Sequence, residues 1–100
     1  MIIYKYTLSV DDNSTELHLP GFQIARVEHA SAGRPDLLPN GQVNMWVVLD
    51  RAPQRDDPTH EFRVVGTGMP VTSDIWEWVG TTPPENHSLL VWHVLHRVRG

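Results

Sequence analysis

Gly66-Thr67-Gly68-Met69-Pro70, then Ile75-Trp76-Glu77-Trp78-Val79-Gly80-Thr81, then Leu89-Leu90-Val91-Trp92-His93-Val94-Leu95, is the stretch whose reading decides the fold class. Short aromatic and aliphatic runs are bounded by Gly, Pro, Ser, Thr and Asn, the pattern of strands separated by turns. Three of the chain's four tryptophans lie here, so much of the large-area burial is expected around these strands.

The same reading extends to both sides. Ile2, Tyr4, Tyr6, Leu8 and Val10 alternate with Lys5, Thr7 and Ser9, the period of a half-buried strand. After the Asp11-Asp12-Asn13-Ser14 turn, Leu17 and Leu19 alternate with Glu16 and His18, so the two segments are expected to form an N-terminal hairpin. Beyond Pro20-Gly21, the apolar phase slips between Phe22, Ile24 and Ala25, Val27, which predicts a β-bulge or a sheet-switching bend before Ala30. Ser31 to Gly41 reads as an extended loop, and Val43 to Asp50 as a strand apolar on both faces and therefore central.

Arg51 to Thr59 reads as a surface loop. Glu61 to Thr67 reads as a strand with Phe62 and Val64 inward and Glu61 and Arg63 outward, and Ser73 or Asp74 as the cap of at most one short helical turn. Trp76 to Thr81 and Leu89 to Val98 close the series, separated by a loop from Thr82 to His87. About seven short strands and no sustained helical period predict an all-β domain over residues 1–100: an antiparallel sandwich or a partly closed barrel.

Bulk properties narrow the function classes. One hundred residues make one domain with one modest core. The absence of cysteine removes disulfides, thiolate catalysis and zinc–thiolate sites. Met1-Ile2-Ile3-Tyr4-Lys5-Tyr6 has a strand pattern rather than that of a signal peptide, and no apolar run reaches the ~20 residues of a membrane span, so a cytoplasmic location is expected. A net charge of −4 argues against nucleic acid, which favours a basic stripe. The basic tail His96-Arg97-Val98-Arg99 reads as a solvated strand end.

With the strands in place, the run Val65-Gly66-Thr67-Gly68-Met69-Pro70-Val71, then Trp78-Val79-Gly80-Thr81, then Leu90-Val91-Trp92-His93-Val94, resembles a family of small uncharacterised proteins from tailed phages and prophages. That family opens with a Lys-Tyr strand like Tyr4-Lys5-Tyr6-Thr7-Leu8. It continues with a Pro-Gly turn like Leu19-Pro20-Gly21 and a Trp strand ending in Asp like Trp46-Val47-Val48-Leu49-Asp50. The ordered set covers most of the chain. The departures are the long loop at Ser31 to Gly41, the charged loop at Arg51 to Pro58, and Met69 where the family has His. The resemblance implies a phage origin and expression in a bacterial cytoplasm, and it carries no catalytic residues.

The residues offer several chemistries, each beside a plainer reading. His93 and His96, three apart on a strand, point to opposite faces and make a poor chelate. His29, His60 and His87 lie near strand ends, so no metal ligand is assigned. His93 reads as a half-buried histidine bonded to a neighbouring strand or, alternatively, as a contact residue in an apolar interface. Gly66-Thr67-Gly68 lacks the glycine spacing, Lys and helix of a phosphate loop, and reads as a bending strand end. No Gly-x-Ser-x-Gly elbow exists for Ser73, Ser88 or His87. The pairs Asp11-Asp12 and Asp56-Asp57 read as solvated turn formers.

Trp46 and Trp92 read as core. Trp76 and Trp78 flank Glu77 and share one side, which is either core or a Trp-lined binding surface. These features lead to the expectation of a non-enzymatic protein without a cofactor, a small phage accessory protein that binds a host protein or self-associates, without nucleic acid or membrane. The candidate contact residues are Trp76, Trp78, His93, Arg63, Gly66 and Gly68. One alternative is a nucleotide-like small ligand stacked on tryptophan beside the Gly66 to Pro70 turn, with Arg63 or Arg26 converging on it. A virion-associated structural role is the other.

Overall fold

Among the described residues, alternating apolar positions build seven strands: β1 (Ile2–Ser9), β2 (Thr15–His18), β3 (Phe22–His29), β4 (Gln42–Leu49), β5 (Thr59–Gly66), β6 (Glu77–Thr81) and β7 (Trp92–Val98). The computed structural model describes residues 1–10, 14–29, 42–71, 75–83 and 91–99. The expected cap at Ser73 or Asp74, the turn at Asp11-Asp12, the loop at Ser31 to Gly41, and His87, Ser88, Leu89 and Leu90 lie outside them.

All pairings are antiparallel. One sheet runs β1-β4-β3 and the other β2-β5-β7-β6, and their inner faces enclose a common core. Among the described residues there is no helix and no barrel closure, so the expected all-β class holds in its sandwich form. No helix among them is long and apolar enough to cross a membrane.

The N-terminal hairpin does not form. β1 pairs with β4, while β2 pairs with β5 in the other sheet. Period-two alternation fixes which side of a strand is buried, but the same polar turn serves a hairpin or a crossing between sheets. β4, apolar on both faces, is the centre of its sheet as expected. Val43, Met45, Val47 and Leu49 supply its core face.

The slip in β3 is a bulge: the register to β4 shifts between Ile24 and Arg26. A second bulge lies between Trp78 and Gly80 in β6. Each bulge bends an edge strand and interrupts its ladder locally.

Two expectations about burial are corrected. Trp46 is not core: it lies half-buried on the outer face of its sheet, in register with Lys5 and Arg26. Even-numbered β4 residues point away from the core face that Met45 and Val47 occupy, and an apolar run alone does not reveal that phase. Glu61 points outward as expected but is only 1% exposed. Arg97 Nε donates to its Oε2 at 2.8 Å, and Arg99 Nη1 lies 3.1 Å from Oε1.

The basic tail is therefore exposed at Val98 and Arg99 as expected, and its two arginines also cover a buried carboxylate. The Arg97 bond, outweighing burial, holds the Glu61 carboxyl below the usual carboxylate range. Asp57 is likewise no solvated turn former. It is buried, accepts from Arg51 Nη1 at 3.1 Å and from the Gln54 backbone at 2.6 Å, and so closes the Arg51–Pro58 loop on itself.

The two sheets come close where β6 crosses β3. A Cβ added to Gly80 would lie 2.7 Å from Val27 Cγ2, closer than real Cβ atoms come. Gly80→Ala is expected to destabilise the fold by about 1–3 kcal/mol through overpacking. In urea unfolding, its penalty and that of Val27→Ala should be less than additive in the double variant, because each relieves the other's clash.

Candidate functional site

Away from the Gly80–Val27 contact, the edge strands β3 and β6 separate and a groove of about 790 Å³ opens between them. One wall is Phe22, Gln23 and Ile24, and the other is Glu77, Trp78 and Val79. Leu19, Pro58, His60, His96 and Val98 complete it. The bulk that keeps the sheets apart here is aromatic. Phe22 meets His60 and His96 edge-on, with ring centroids at 4.9 and 5.3 Å, and Phe62 lies 5.1 Å from His96.

His60 and His96 form the polar part of the groove. Their rings stack with centroids 5.1 Å apart, and His60 Nδ1 lies 2.9 Å from His96 Nε2. One of these two nitrogens donates its proton and the other accepts it. Burial lowers the pKa of both imidazoles. The Leu19 backbone partly offsets this at His60, whereas at His96 the neighbouring ring adds to it and Glu77 opposes it.

Trp78 belongs to the strand that walls the groove, but in register with Leu95 its side chain stands on the outer face of the sheet, 63% exposed. Its indole is nevertheless fixed. Trp78 Nε1 donates to Thr81 Oγ1 at 2.9 Å, Thr81 Oγ1 lies 2.9 Å from His93 Nδ1, and His93 Nε2 lies 2.9 Å from Thr67 Oγ1. Thr67 Oγ1 in turn donates to the Val91 carbonyl. With the donors running in one direction, His93 Nε2 donates to Thr67, the wrong sense for a base that activates a hydroxyl. The chain instead orders an exposed aromatic side chain.

The candidate residues from the sequence thus divide. Trp78 and His93 meet through Thr81, and Thr67 links them to the turn between Gly66 and Gly68. Gly66 is buried against the Trp92 ring, and Gly68 has a φ of 91°, so both glycines serve the bend. The turn's amides at Gly66, Thr67 and Met69 are engaged by Met69 Sδ, Val91 O and Gly66 O, which leaves little of a phosphate cradle.

Trp76 is half-buried beneath the Arg97 guanidinium, 4.6 Å from the ring centre, and supports the Glu61 cluster. Arg63 is half-buried on the outer face of β5, in register with Leu95. Arg26 pairs with Glu28 on the far sheet and converges on nothing near Trp78. Trp92 packs against the core.

Sequence reasoning missed the His60–His96 pair, Glu77 and Phe22. Positions 36 residues apart meet only because β5 and β7 are neighbours in this register. His29 is a strand residue whose side chain lies outside the described set. Among the described residues, no three His, Asp or Glu side chains gather as metal ligands.

The chain is a small β-sandwich with an open groove between two edge strands and a hydrogen-bonded, exposed tryptophan on the outer face of one of them. The chain belongs to the family described as domain of unknown function DUF7352, which matches residues 1–100. Comparison with curated proteins and with solved structures finds no match.

The pair makes stability depend on pH. Both imidazoles have folded pKa values below their unfolded ones, so their contribution is complete above the unfolded value and is lost as pH falls. Thermal or urea unfolding should show stability declining from about pH 6.5 downward, by up to about 1.4 kcal/mol per pH unit for each proton taken up on unfolding. The slope should flatten in His60→Phe/His96→Phe, while the carboxylates Asp57 and Glu61 act in a lower window.

Proposed function

We propose that this protein is a non-enzymatic protein-binding domain whose β6 edge receives an extended segment of a partner polypeptide, with the groove toward β3 on one side of the segment and Trp78, on the outer face, on the other. The observation that carries the reading is Trp78. A large aromatic side chain, mostly exposed, has its only polar atom tied into a hydrogen-bonded chain. Such a side chain loses little freedom on binding, and tryptophan is the residue type most enriched among residues that dominate interface energies.

The groove supplies the rest. Phe22, Ile24, Val79 and Val98 offer apolar surface, and β3 and β6 are both edge strands with backbone groups available for strand addition. The likeness of the chain's motifs to small tailed-phage proteins supports reading it as a phage accessory protein with a bacterial host protein as the partner.

A photo-crosslinking residue at Gln23, on the groove wall, tests this in bacterial cells. It should give a discrete adduct with one polypeptide. Trp78→Ala should weaken that capture by about 2 kcal/mol or more in binding while changing stability by about 0.5 kcal/mol or less. Full retention of the adduct in a folded Trp78→Ala variant overturns the reading.

A further inference from the structure

We infer that the outer face beside Trp78 takes an acidic side chain of the partner, its carboxylate held by Arg63. This rests on the protein-binding reading and names a second contact made by the same partner. Strand pairing sets the geometry. Trp78 of β6 is in register with Leu95 of β7, and Leu95 is in register with Arg63 of β5. Residues in register share a face, so the three form one row across the outer face of the sheet, about 10 Å long at two interstrand spacings. Phe62 and Val64, the chain neighbours of Arg63, belong to the core, which turns Arg63 outward.

The guanidinium of Arg63 is left unsatisfied. Its Nε is buried without a hydrogen-bond partner, the one such side-chain nitrogen or oxygen among the described residues. The carboxylates of this face are already held. Glu61, on the same strand, is taken by Arg97 and Arg99, and Glu16 by Arg99. Among the described residues, Arg63 is therefore the one arginine of the face with no carboxylate. A guanidinium that has lost water from one donor without gaining an acceptor costs stability, and an anion brought by a partner offsets that cost.

The surroundings select the anion. A guanidinium only donates, and its planar fork matches a carboxylate. Phosphate groups carry nearly two charges and are held by clusters of arginines, whereas the other arginines here are engaged with Glu61 and Glu16. One unpaired guanidinium suits one carboxylate. At the other end of the row Trp78 offers a large apolar surface, and Leu95 between them is only 6% exposed. The partner thus presents an apolar residue to Trp78 and an aspartate or glutamate to Arg63. A lysine or arginine in the second position would meet a like charge.

The full chain can be titrated by NMR with the peptide acetyl-Thr-Leu-Thr-Glu-Thr-amide and with twins carrying glutamine or lysine in place of glutamate. The glutamate peptide should shift the Arg63 Nε–H and Trp78 indole signals saturably and bind at least about tenfold tighter than either twin. Arg63→Met keeps an unbranched stem and removes both the charge and the unpaired donor. It should abolish the preference for glutamate over glutamine and leave the thermal midpoint unchanged or higher, because no hydrogen bond is lost with it. Trp78→Ala should weaken the glutamate and glutamine peptides by the same factor.

The inference is overturned if the glutamine or lysine twin binds as tightly as the glutamate peptide, if Arg63→Met keeps the preference, or if no peptide shifts the Arg63 and Trp78 signals. A thermal midpoint several degrees lower in Arg63→Met assigns the guanidinium to the fold and overturns it as well. Capture by the Gln23 crosslinker separates the two readings. An adduct lost with Trp78→Ala but kept in full with Arg63→Met leaves protein binding standing and removes the acidic anchor.

Discussion

The close approach of Gly80 to Val27 sets how the two sheets sit on one another. A sandwich keeps its sheets about 10 Å apart because inner side chains interdigitate. Where β6 presents a glycine, β3 can come in against its backbone. A few residues away the spacers are Phe22, Phe62 and two imidazoles, which need far more room. The small residue at one end and the aromatic stack at the other wedge the edge strands apart, and the groove follows from that difference in size. The bulges in β3 and β6 lie beside it and turn the edges at the point where they part.

Polar groups inside such a small domain must be satisfied or they cost stability. The chain does so in three separate ways. Glu61 is buried on the outer face of its sheet and needs both Arg97 and Arg99 to hold its charge there. Asp57 gathers Arg51 and the Gln54 amide and so ties down a loop that would otherwise be open. His60 and His96 satisfy each other while neutral, at the expense of a lowered affinity for protons. The first two clusters are charged and ion-paired, whereas the third is a neutral pair with Glu77 in register beside it.

Trp78 illustrates how a sheet can hold an exposed aromatic side chain still. β7 places His93 beside Thr81 of β6, and the turn after β5 brings Thr67 to the other side of the ring. The Thr81–His93 link joins neighbouring strands, and the Trp78–Thr81 bond within β6 ties the indole to it. The two glycines of the turn make this possible without touching the indole: Gly66 lets the Trp92 ring pass and Gly68 takes the left-handed backbone conformation.

The sequence by itself determined the strands, because alternation of apolar and polar residues is a local property of the chain. It marked β4 as central through Trp46 and Val48 beside Val47 and Leu49, located the bulge after Ile24, and singled out Trp78 and His93. Only the tertiary structure decided which strands are neighbours. That choice placed β1 against β4 and β2 against β5, put Trp46 on an outer face, and folded a basic tail over Glu61. It also brought His60 to His96 and set Glu77 beside them. The reason is physical: a strand's buried face is written in its own residues, whereas its partner is selected by how all the buried faces fit into one core, so a site assembled from four strands leaves no local trace.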